Sequence, residues 1–140
     1  MKYLLDTCII SELSKKRPNS KVIKWIRGQH EQDIYLSVLT LGELQKGITK
    51  IVDSRRKQEL LEWLESDLPQ RFDKRILLVT DAVARKWGEI QGVTEQQGQK
   101  MPVIDSLIAS TGLTYNLEVA TRNIDDMKAS GVQLFNPWES

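Results

Sequence analysis

The sequence predicts an α/β fold: a parallel sheet of four to five strands with helices on both faces. Two observations predict it. Short apolar runs, too brief for helices of ordinary length, alternate with one or two longer amphipathic stretches, the pattern of parallel strands joined by helical crossovers. No repeat, low-complexity tract or composition break divides the 140 residues, so residues 1–140 read as one domain.

Tyr3-Leu4-Leu5 is the first strand, stopping at Asp6-Thr7. Ile9, Ile10 and Leu13 then share one helical face, and Lys15-Lys16-Arg17 before Pro18 end that helix. Asn19 or Ser20 caps a second helix with Val22, Ile23 and Ile26 inward, closed at Gly28. Ile34 to Ser37 is the second strand. Thr40-Leu41-Gly42-Glu43 opens a third helix that buries Leu44, Ile48 and Ile51. The charged segment from Asp53 to Leu68 keeps Leu60, Leu61, Trp63 and Leu64 as the apolar face of a fourth helix, stopped before Pro69.

Ile76 to Val79 is the third strand. Asp81 caps a long helix through Ala84, Trp87 and Ile90 that fades into Glu95–Lys100. Pro102 suits the first turn of a helix carrying Leu107, Ile108 and Ala109. Leu117 to Thr121 is the fourth strand, followed by a polar turn with Asp125 and Asp126. Val132 to Phe135 is a last short strand before Pro137-Trp138.

Bulk composition narrows the function. Twenty basic residues against 19 acidic leave a net charge of +1, so any nucleic-acid binding comes from local patches. The single cysteine, Cys8, rules out an internal disulfide and fits a reducing cytosol; with no signal-peptide pattern and no membrane-span length, a cytoplasmic protein is expected.

Acids gather at one edge of the expected sheet. Asp6 ends the first strand, where open α/β sheets place their ligands. Glu43 opens the helix after the second strand, and Thr121 ends the fourth with Asn123, Asp125 and Asp126 just beyond. Asp105 lies in the first turn of the helix leading into that strand, and its place on the same rim is an inference. Carboxylates crowded together repel, and a hard divalent cation such as Mg²⁺ relieves the repulsion through oxygen ligands. No P-loop, dinucleotide-binding glycine pattern, nucleophile elbow or zinc cluster offers a competing chemistry. Each acid has a plain explanation too. Thr40 and Glu43 match a capping box, Asp105 favours the helix dipole, and Asp6 is placed to cap the next helix.

The segments Leu4 to Leu13, Ser37 to Leu44, Val103 to Ala109 and Ala120 to Asn123, with the closing Asn136-Pro137-Trp138, resemble the PIN-domain family, and within it the VapC/FitB-type toxins of bacterial toxin–antitoxin pairs. The resemblance spans the chain in order and spacing. It implies a Mg²⁺-dependent endoribonuclease, with Mn²⁺ able to substitute, that cleaves RNA, forms a homodimer and is blocked by a cognate antitoxin. It places Asp6, Glu43 and Asp105 at the catalytic site and on the metal, with Asp6 and Asp105 as direct ligands and Glu43 direct or through water, and Thr7 and Thr121 as the hydroxyls that orient them. A fourth acid common in the family aligns with Asn123, an amide here, with Asp126 one helical turn on. Arg122 and Lys46 are candidates for holding an RNA phosphate. Glu12 reads as a solvated helix acid or one placed behind the site, and His30 as surface. A non-catalytic RNA-binding module is the first alternative. A phosphoacceptor receiver domain ranks last, because its paired acids and late-strand lysine are missing.

Overall fold

Apolar alternation in five short strands builds the centre of the molecule, which a computed structural model describes over residues 1–139. The strands are β1 (Tyr3–Leu5), β2 (Ile34–Ser37), β3 (Ile76–Leu77), β4 (Glu118–Ala120) and β5 (Leu134–Phe135). All pair in parallel, in the order β3-β2-β1-β4-β5. The helices are α1 (Thr7–Leu13), α2 (Ser20–Arg27), α3 (Val38–Thr49), α4 (Arg55–Glu62), α5 (Leu68–Arg71), α6 (Asp81–Gln96), α7 (Val103–Thr114) and α8 (Ile124–Met127). No helix among the described residues is long and apolar enough to cross a membrane.

Successive strand residues point to opposite faces, and the core divides accordingly. Leu5, Ile34, Leu36 and Ala120 pack with Ile9 and Ile10 of α1, Val22 and Ile26 of α2, and Leu44 and Ile48 of α3. Leu4, Tyr35, Leu77 and Val119 face the other way, onto Ile108 and Ala109 of α7. Helices therefore cover both faces, as the alternation predicts. Helix α7 is rich in Ser and Thr yet buried. Ser110, Thr111 and Thr114 return their hydroxyls to carbonyls one turn back, so the buried polar groups stay paired. Trp87 of α6 donates its indole N–H to Ser106 at 2.9 Å, fastening α6 to α7 beside Asp105.

Several boundaries differ from the sequence reading. Helix α3 begins at Val38, capped by Ser37, whose hydroxyl accepts the Leu39 amide at 3.0 Å. Thr40 is thus a fully buried residue inside the helix and Glu43 lies in its second turn, which removes the capping box. β3 stops at Leu77 because β2, its pairing partner, turns into α3 after Ser37; Leu78 and Val79 are exposed. The fourth helical segment does not stop before Pro69. A wide π turn, Trp63–Asp67, leads into α5, whose first turn holds Pro69 where a missing N–H costs little. Thr80, not Asp81, caps α6, accepting the Val83 amide, and Asp81 instead pairs with Arg85 at 3.0 Å. Ala84 is exposed on α6, while Val83 is buried.

Candidate active site

The strand order fixes where a site forms. From β1 the chain builds outward through β2 and β3, then returns to the opposite side of β1 to lay down β4 and β5. That reversal makes the carboxyl ends of β1 and β4 the switch point of the sheet, where such folds bind ligands. Asp6 and Thr121 are the next residues after those two strands, and the Asp6 amide still donates to the Ala120 carbonyl at 2.9 Å.

Asp6 is only 2% exposed. Its Oδ1 accepts the Thr7 amide at 2.8 Å, making it the cap of α1, and its Oδ2 accepts the Thr121 hydroxyl at 2.7 Å. The Cys8 thiol reaches Oδ2 at 3.6 Å. Burial still raises the carboxyl above its ordinary value, opposed by these hydrogen bonds and reinforced by the charge of Asp126. Capping and site placement therefore coincide in one side chain.

Glu43 is tied to the same corner through α1. The Thr7 hydroxyl donates to Glu43 Oε1 at 2.6 Å and lies 3.1 Å from the hydroxyl of Thr40. Thr7 touches both acids, its amide on Asp6 and its hydroxyl on Glu43.

Asp105 reaches the rim because of the direction of α7. A short turn joins α7 to β4, so the helix runs antiparallel to the strand and its first turn stands at the strand's carboxyl end. Burial pushes the Asp105 carboxyl up to about 6, and the negative charges of Asp6, Asp126 and Glu43 push the same way. Four carboxylates thus share one electrostatic field. Of the two candidates for a fourth position, Asp126 bears on Asp6 and Asp105, whereas exposed Asn123 contributes its backbone amide to Thr121 Oγ1 at 2.9 Å. Asp125 turns to Lys128 at 3.3 Å.

The basic candidates are both exposed. Lys46 lies one helical turn beyond Glu43 and has no ion pair among the described residues. The Arg122 guanidinium lies 4.1 Å from the centre of the Trp138 ring.

Glu12 departs from the solvated alternative. It is 5% exposed, accepting the Asn19 amide at 2.8 Å and the Lys15 ammonium at 3.0 Å. Burial pushes its carboxyl up, but those two bonds and the charges of Lys15 and Arg122 outweigh it and leave the value lowered. Lys15 stands at the ordinary i, i+3 spacing, but the Asn19 amide comes from the far end of the α1–α2 connection, where helical spacing gives no sign of it. His30 is exposed, as expected. Cys8 is more than a small hydrophobe: its sulfur stands among Asp6, Thr121 and the Arg122 amide. Burial, then the charge of Asp6, pushes the thiol up to about 11, so it is protonated at neutral pH and a poor metal ligand.

The donor set is all oxygen. Among the described residues no three acid, His or Cys side chains stand close enough to ligate one ion directly. That fits a hydrated hard cation held by one or two carboxylates, the manner of Mg²⁺, better than an all-protein cage. The unspent repulsion around Asp105 is what such a cation relieves.

Comparison with known proteins agrees with this architecture. Residues 3–130 match the PIN domain. The chain is 35% identical to Toxin FitB of Neisseria gonorrhoeae over 96% of its length and 97% of that protein's. It is 30% identical to VapC ribonuclease Y4jK of Sinorhizobium fredii over 97% of each. The structure superposes on the crystal structure of FitAcB from Neisseria gonorrhoeae with a TM-score of 0.93 and 34% identity, covering 99% of both chains. With VapBC2 of Rickettsia felis, solved bound to a promoter DNA fragment, the TM-score is 0.77 at 27% identity, over 97% of this chain and 98% of the other. The sheet order, the acids at its switch point and these likenesses lead to one conclusion: the chain belongs to the PIN domain family.

Proposed function

We propose that the chain is a Mg²⁺-dependent endoribonuclease that cuts RNA phosphodiester bonds as the toxin of a toxin–antitoxin pair. The observation that carries this reading is the Asp105 carboxyl, lifted to about 6 by burial and by three neighbouring acids. Perturbed acids in a crevice are the mark of a working site. Asp6 and Asp105 would hold the cation, with Glu43 and Asp126 acting through its bound water, since no three of these acids stand close enough to ligate one ion directly. Mg²⁺ there supplies a more acidic water and offsets charge on the phosphate being attacked, and Mn²⁺ can substitute.

The protein's own groups prepare that site. Thr121 and the Thr7 amide hold both Asp6 oxygens in place, and the Thr7 hydroxyl sets Glu43. Removing rotational freedom from acids in this way keeps them aimed without reorganisation. Arg122 and Lys46, both exposed, supply positive charge for RNA phosphates in a chain with almost none to spare overall.

The relatives named toxin and ribonuclease support the substrate class. A cell that makes an RNA-cutting toxin needs a partner that silences it, so the reading includes a cognate antitoxin over the site. It includes a homodimer, which the family resemblance implies, and work in the cytoplasm, where RNA is found. The alternative, a non-catalytic RNA-binding module, rests on Asn123 standing where a fourth acid is common; the charge of Asp126 on Asp6 and Asp105 weighs against it. The test is incubation of the chain with cellular RNA, with Mg²⁺ or with EDTA. Cleavage only with Mg²⁺ is expected, and RNA binding without cleavage would favour the binding module.

A further inference from the structure

Arg122 is the next residue after Thr121, whose hydroxyl is bonded to Asp6, so its backbone is fixed at the rim of the acid cluster. Its own amide donates to Cys8 Sγ at 3.4 Å, pinning it a second time. The guanidinium carbon then lies 4.1 Å from the centre of the Trp138 ring, well inside the range of cation–π attraction. Trp138 is itself held. Its amide donates to Asn136 Oδ1 at 2.9 Å, and its ring packs against the core on the α1–α3 side of the sheet. Buried Glu12 is near enough for its charge and that of Arg122 to attract each other, although no ion pair forms between them.

The guanidinium carbon thus stands over the Trp138 ring, while its N–H donors meet no acceptor among the described residues. Arg71 and Arg75, which also lie over a ring, that of Phe72, spend N–H donors on Glu31, whereas Arg122 does not. A planar fork held over a ring with its donors free is suited to a phosphate, which accepts two parallel N–H bonds.

We propose that Arg122 holds an RNA phosphate beside the scissile bond and that Trp138 is a positioning residue that presents the guanidinium edge to it. The proposal rests on the endoribonuclease reading above and adds the C-terminal Asn136-Pro137-Trp138 turn to the substrate site.

The test is binding of a fluorescein-labelled single-stranded RNA to the full chain in EDTA, followed by anisotropy at several salt concentrations, so that no cation or turnover enters. Arg122→Ala is expected to bind about tenfold more weakly, with the salt dependence reduced by roughly one phosphate contact. Arg122→Lys, which keeps the charge but loses the fork, falls between the two. Trp138→Phe, which retains an aromatic face, binds close to wild type, whereas Trp138→Leu binds several-fold more weakly. Trp138→Leu adds little loss in an Arg122→Ala background, because both changes remove one interaction. Wild-type binding by Arg122→Ala would overturn the proposal, as would equal damage from Trp138→Phe and Trp138→Leu or additive losses in the double variant. Mg²⁺-dependent cleavage by the wild type, run in parallel, separates the failures. If the wild type cleaves RNA and Arg122→Ala binds normally, only this proposal falls; if the wild type neither binds nor cleaves RNA, the endoribonuclease reading falls with it.

Discussion

The Thr121 hydroxyl donates to Asp6 Oδ2 at 2.7 Å, closing a contact between residues 115 apart in sequence. It is made at the switch point of the sheet, by the residues that directly follow neighbouring strands β1 and β4. Topology thus converts a strand-end acid into a buried, oriented carboxylate, and the consequences can be measured.

Neutralising that carboxylate separates activity from stability. Asp6→Asn keeps the size of the side chain and an oxygen for the Thr7 amide, but removes a buried charge that Asp126 opposes. RNA cleavage is expected to fall on the order of 100-fold or more. The melting temperature should hold or rise, since sites built of strained charges carry a stability cost. Parallel cleavage assays and thermal melts check both. Retained cleavage would remove Asp6 from the site.

Thr7→Val tests orientation alone. Valine matches threonine in shape, keeps the amide that bonds Asp6, and loses the hydroxyl that bonds Glu43 and touches Thr40. A loss of about 10- to 100-fold in cleavage is expected, as for other groups that align ligating side chains, with the circular-dichroism spectrum unchanged. Full activity would show that Glu43 needs no such alignment.

The metal-free protein should lose stability as pH rises. The Asp105 carboxyl titrates near 6 in the folded chain against an ordinary value of 3.8, so the folded state binds the proton more tightly. Its stabilising contribution is complete below about pH 4 and is lost as pH climbs through 6; after discounting for partial exposure the loss is on the order of 1–2 kcal/mol. Denaturant titrations in EDTA across that window should show a shallower decline in Asp105→Asn than in wild type. Equal slopes would mean that neither burial nor the neighbouring acids hold the Asp105 carboxyl up.

A packing prediction tests the frame that carries Asp105. At Gly112 of α7 an added Cβ would stand 2.8 Å from Val119 Cγ2, 3.1 Å from Val132 Cγ2 and 3.2 Å from the Leu117 carbonyl. The helix lies that close to β4 only because the residue has no side chain. Gly112→Ala should destabilise by about 1–3 kcal/mol through overpacking, measured by urea denaturation. A neutral change would imply a looser α7–β4 contact.

Much of this architecture was legible in the sequence, and the misreadings have physical causes. Tyr3-Leu4-Leu5 followed by Asp6 declared both a buried strand and its acid. Asp105 was legible as a first-turn helix acid, yet its rim position depended on the direction of α7, which follows only once β4 is known to be parallel to β1. Glu43 was assigned one turn too early because Val38 and Leu39 read equally well as strand, and Ser37 was not recognised as the cap. The choice between Asn123 and Asp126 hung on the phase of α8, a single turn too short to show a periodicity. Between the solvated and the buried alternative for Glu12 the sequence gave no choice, because the Asn19 amide that it binds comes from the next connection, a tertiary contact without a sequence signature.

On the proposed reading Asp6 and Asp105 jointly hold a divalent cation, and calorimetric titration of the chain with Mn²⁺, wild type against Asp105→Asn, is the sharpest test of that pairing. A saturable heat is expected in wild type, with proton release that grows as pH falls toward 6, and loss of that heat in the variant. Identical titrations of the two proteins, or no binding by either at millimolar Mn²⁺, would contradict it.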